Sequence, residues 1–70
     1  MSATRHEIEP KIEGQRAAIR EHIDKYNNYP HPQDKDFALK TIERCQGNID
    51  SLKAQCNQDI QGSWEDTWSP

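Results

Sequence analysis

Residues 38–56 read ALKTIERCQGNIDSLKAQC, and this stretch decides the fold. Its apolar positions Ala38, Ile42, Cys45, Ile49, Leu52 and Cys56 step by 4, 3, 4, 3 and 4 residues, the a and d repeat of a helix with one apolar seam. The residues between them (Glu43, Arg44, Gln46, Asn48, Asp50, Lys53, Gln55) are polar. The seam is therefore narrow and single-sided, and a second helix has to cover it.

Upstream, Ile12, Ile19 and Tyr26 repeat at heptad spacing, with Ile8 at the preceding d position and Ile23 at a flanking e position. Thr4-Arg5-His6-Glu7 fits a capping box. A helix starting there would put Pro10 in its second turn, where proline removes a hydrogen bond and clashes with the preceding turn. A start near Glu9 instead places Pro10 at the tolerated first position. The sequence thus predicts a first helix over about 9–27, with 1–8 a flexible or kinked turn and Gly14 weakening the same end. Asn27-Asn28-Tyr29-Pro30-His31-Pro32-Gln33 stops this helix and restarts another. Asp34 or His31 can cap the second, which is predicted over about 33–61. A connection this short makes the two helices antiparallel neighbours. Valine is absent and no stretch alternates like a strand, so the expected class is all-α: a two-helix hairpin over 9–61 followed by an acidic tail, 62–70.

Equal rise along both helices pairs Ile19 with Ile42, Gln15 with Cys45, Ile12 with Ile49 and Ile8 with Leu52. Ile23 then faces Phe37 and Ala38, so Phe37 and the inner isoleucines are expected to hold the hairpin together. Cys56 and Ile60 fall beyond the first helix, with no intrachain lid. Gln15 and His22 occupy d positions, where they either set register and oligomer state or lie at the edge of the contact. The chain has 70 residues, 31% of them hydrophobic, and a chain of this size rarely draws more than ~3–5 kcal/mol from its own core. The hairpin is therefore expected to be completed as a four-helix bundle, by homodimerisation or by docking on a larger partner.

The net charge is −3, with both signs interspersed. Lys11, Arg16, Arg20 and Lys25 lie along the first helix, but Glu13, Glu21 and Asp24 sit among them. They read as a solvated surface rather than a phosphate-binding stripe. The sequence has neither an apolar run of membrane-spanning length nor a signal-peptide pattern, so a soluble, cytoplasmic chain is expected. Cys45 and Cys56, eleven residues apart, share a helix face but lie ~16 Å apart along the axis. They can bond only across two antiparallel copies crossing near 50–51, and buried free thiols are the ordinary alternative. His6, His22 and His31 match no zinc spacing. No metal or cofactor is expected. A nucleophile would need a base and an oxyanion hole inside a cleft, which a two-helix chain hardly provides, so no catalytic residue is assigned.

The tail carries Trp64 and Trp68 on either side of Glu65-Asp66. Tryptophan is the commonest interface anchor. The segment can dock on a partner, fold back over Cys56 and Ile60, or stay disordered. The plan of short helix, proline-rich turn and longer helix resembles secretion-needle subunits, their small chaperones and many phage proteins, in architecture alone and with no site residue carried over. The leading expectation is a non-enzymatic protein-binding module, an adaptor or inhibitor of the kind phages and mobile elements encode. Its protein-binding residues would be Cys56, Ile60, Trp64, Glu65, Asp66 and Trp68. A self-assembling structural subunit or assembly chaperone is the second reading, and a nucleic-acid mimic or binder the third.

Overall fold

Thr4 opens the first helix, α1, which spans Arg5–Asn28. The Thr4 hydroxyl accepts from the Glu7 amide at 3.3 Å, and the Thr4 carbonyl accepts from Glu7 and Ile8. The computed structural model describes residues 3–70. Pro10 therefore lies inside the helix, which corrects the expected start near Glu9. Magnitudes explain the outcome. An interior proline costs ~3 kcal/mol. The earlier start places Ile8 in the core at 1% exposure, a burial contributing ~1.5–3 kcal/mol, and the threonine cap contributes ~1 kcal/mol more. Arg5 also pairs with Glu9 at 2.7 Å on the added turn.

The second helix, α2, spans Pro32–Gln55, with Pro32 in the first turn and His31 at the N-cap position without a side-chain cap bond. It ends about six residues before the predicted 61, a second correction. The cause is a backbone capture. The Ala3 amide donates to the Gln55 carbonyl at 2.9 Å, and the Asn57 amide donates to the Ala3 carbonyl at 2.9 Å, forming a parallel bridge between Ala3 and Cys56. A terminal helix carbonyl is satisfied, and the chain leaves the helical path at Cys56.

The two helices pack against each other around Ile8, Ile12, Ile19, Ile42, Cys45 and Ile49, with Ile23 and Leu52 partly buried beside them. Ala38 is buried at the turn end. Asn48 donates to Gln15 across the helices at 3.2 Å, and Lys35 donates to the Tyr26 carbonyl at 2.6 Å. Both bonds sit close to the register that the heptad spacing predicts. His22 instead lies 2.8 Å from the Ala18 carbonyl of its own helix. Phe37 is 60% exposed and does not hold the hairpin together; the neighbouring Ala38 occupies the seam, and Phe37 is turned about 100° away from it.

Beyond Cys56 the chain turns back and runs along the hairpin, ending in a 3₁₀ turn, Trp64–Thr67. Ala3, Cys56, Ile60 and Trp68 all pack on the core cluster. Cys56 and Ile60 are therefore not left without a lid. The tail supplies it, and the molecule is a rod of 44 × 15 × 15 Å. Among the described residues no helix is long and apolar enough to cross a membrane.

Candidate functional site

Arg16 follows Ile12 by four residues and precedes Ile19 by three, which puts it on the apolar stripe of α1, where it is only 7% exposed. A guanidinium in that position requires partners, and the tail supplies most of them. Nε and Nη2 donate to the two carboxylate oxygens of Asp66, each at 2.9 Å. Nη2 also donates to the Gln61 carbonyl at 3.0 Å, and Nη1 donates to Glu13 at 2.6 Å. This is the planar, two-pronged match that distinguishes arginine from lysine.

Asp66 is held from α2 as well. Lys53 donates to its Oδ2 at 2.9 Å, and the Ser63 amide donates to the same oxygen at 3.1 Å. Glu65 accepts from Arg20 at 2.6 Å and from the Ser63 hydroxyl. One amide of α2 secures the main chain of the tail: Gln46 Nε2 donates to the carbonyls of Glu65 at 3.1 Å and Trp68 at 2.8 Å. The Trp68 ring meets Tyr26 edge-on, with centroids 5.9 Å apart at 78°. On Tyr26 the Lys35 ammonium lies 4.8 Å from the ring centroid. Among the described residues no buried side-chain nitrogen or oxygen lacks a partner.

The electrostatics follow from this geometry. The hydrogen bonds from Arg16 hold the Asp66 carboxyl well below its ordinary range, outweighing the opposing effect of burial, with Lys53 and the Ser63 amide assisting. The same Asp66 contact raises Arg16 against its own burial. Burial alone would push the Glu65 carboxyl up; hydrogen bonds from Ser63, the backbone and Arg20 overcome it, and the group lies below its ordinary value. Both carboxylates are thus charged and paired at neutral pH.

The six residues singled out in the sequence are brought together along one flank, and five of them face this chain's own hairpin. Glu65 is buried, the Asp66 side chain is 5% exposed, and Cys56, Ile60 and Trp68 are half-buried. Trp64 alone stays out, at 57% exposure. One expectation is corrected: Arg16 and Arg20 hold the tail's carboxylate pair rather than forming a solvated surface. Gln46, Lys53 and Tyr26 were likewise not anticipated as parts of the site. The pattern did contain a signal, since Ile8-Ile12-Arg16-Ile19-Ile23-Tyr26 steps by 4, 4, 3, 4 and 3 residues, with an arginine in the middle of an isoleucine stripe. Ser63-x-x-Asp66 is similarly a helical-turn opening. Cys45 and Cys56 are free thiols, and Cys56 lies past the last turn of α2.

No family model, no curated protein and no solved structure matches this chain.

Proposed function

We propose that the chain is a small non-enzymatic protein-binding module, an adaptor or inhibitor that occludes a site on a larger protein, with Trp64 as its anchor. The observation that carries this reading is the exposure of Trp64, 57%, at the first position of a turn whose next two residues are locked into ion pairs. A tryptophan buried in a partner pocket typically accounts for at least ~2 kcal/mol of binding. Displaying it on an already ordered segment removes part of the entropy cost of association. On this reading Glu65, Asp66 and Trp68 are the mount, seated over Cys56 and Ile60, and Trp64 is the contact.

The test is affinity capture with the full chain, its Trp64→Ala variant and its Phe37→Ala variant, all checked for helicity by circular dichroism. A partner held by the wild type and by Phe37→Ala, but lost on Trp64→Ala, supports the assignment. A chain that captures only itself, with a mass that rises with concentration, replaces it with the self-assembling subunit.

A further inference from the structure

The groove that receives the tail holds it by charge, main-chain hydrogen bonds and an aromatic contact at once. It reads a carboxylate pair with Arg16, Arg20 and Lys53, two main-chain carbonyls with the single amide of Gln46, and an aromatic ring with the ring of Tyr26 in a T-shaped pair. Main-chain hydrogen bonds combined with side-chain selection are how proteins bind peptides. The apolar part of the hold is confined to Ile60 and Trp68. A buried ion pair adds little stability over apolar residues of like volume, but it discriminates sharply against partners that lack the matching charge. The segment is tethered through residues 57–63, which belong to no helix or strand.

We propose that this groove is a receptor site for an acidic–aromatic segment of another protein, a carboxylate pair followed two residues later by an aromatic ring, and that Ser63–Trp68 is the ligand it holds in cis. The partner is a foreign segment and not a second copy. Exchange of tails between copies recreates the same contacts and competes against a tether whose effective concentration is in the ~mM range. A second copy's tail has the same affinity as the tail it would displace and loses to that tether. A foreign segment can win by binding tighter than the tail by at least the ratio of the tether's effective concentration to its own. This inference goes beyond the role of Trp64, because it uses the opposite side of the clasp and is tested without any capture step.

The experiment uses the full chain and a peptide of the sequence GSWEDTWSP (residues 62–70) as the probe. In a chain carrying Glu65→Ala, Asp66→Ala and Trp68→Ala the groove is vacated. The fluorescently labelled peptide should bind it saturably, and about tenfold more weakly once Arg16→Ala is added or once salt is raised several-fold to shorten the Debye length. In the wild-type chain labelled with 5-fluorotryptophan, the unlabelled peptide at ~mM concentration, comparable with the tether, should shift roughly half of the Trp68 ¹⁹F signal to its solvent-exposed position. A peptide carrying alanine at the positions of Asp66 and Trp68 should do neither. The wild-type titration decides alone if the vacated chain loses its helical signal. An unmoved Trp68 resonance overturns the proposal, as does tail exchange between wild-type copies at micromolar concentration, which would assign the groove to a second copy.

Discussion

Asp66 joins the three segments of the molecule at one atom pair: Arg16 of α1, Lys53 of α2 and the Ser63 amide of its own turn all donate to it. Removing one member of a buried pair leaves the other charge uncompensated, which costs about 3–5 kcal/mol. Asp66→Ala should therefore lower the midpoint of urea unfolding sharply and shift Trp68 emission to the red. Glu13→Ala, which removes a partner whose side chain is 60% exposed, should change stability by less than about 1 kcal/mol. The pH dependence has a definite sign. The Asp66 and Glu65 carboxyls titrate below their ordinary values when folded, so the unfolded chain takes up protons first as pH falls. Their contribution is complete above the ordinary carboxylate pKa of about 4 and is lost progressively below it. Urea denaturation at pH 7 and pH 3 should show this loss, and the Glu65→Ala/Asp66→Ala chain should show much less of it.

At the scale of the helices, sequence and structure agree on the seam and disagree on its ends. Ile12, Ile19, Ile42 and Ile49 are each 0% exposed, as their heptad spacing requires. Truncating Ile42 to alanine should cost about 2–5 kcal/mol, enough to unfold much of so small a chain at 25 °C, as circular dichroism would show. Phe37→Ala, at an exposed site, should stay within about 0.5 kcal/mol of wild type. The helix interiors also hold slack. A Cβ built at Gly14 or Gly47 meets no atom within 4 Å, and neither glycine has a positive φ. Gly14→Ala and Gly47→Ala should each stabilise by about 0.5–1 kcal/mol. For a domain of this size, about 1 kcal/mol raises Tm by roughly 4–8 °C, and differential scanning calorimetry would read the gain. The ends were hidden because they depend on contacts between distant residues. Pro10 argues locally against a start at Arg5, and only the burial of Ile8 outweighs it. Nothing near Gln55 breaks the helix, and only the bridge from Ala3 does.

At the scale of the whole molecule, the tail is a third packing element that the length of the hairpin alone does not reveal. It covers the open flank of the two-helix pair, with Ile60 and Trp68 as the lid and a three-cation clasp as the lock. A chain ending at Gln61 loses Trp68, Glu65 and Asp66 together and returns to a hairpin of marginal size. It should show a substantially weaker helical signal at micromolar concentration than the full chain, with a lower midpoint of thermal unfolding.

The sequence by itself determined the helical class, the antiparallel hairpin and the isoleucines of its core, because helical periodicity is a local property that the order of residues records directly. It also singled out the two tryptophans and the acidic pair between them, though it left their destination open. Only the tertiary structure decided that destination. Whether Arg16 meets water or Asp66 depends on two residues fifty positions apart arriving at the same flank of the rod. Periodicity carries no information about that encounter; it is set by where Ala3 turns the chain out of α2 and by the free energy of leaving a guanidinium buried and unpaired.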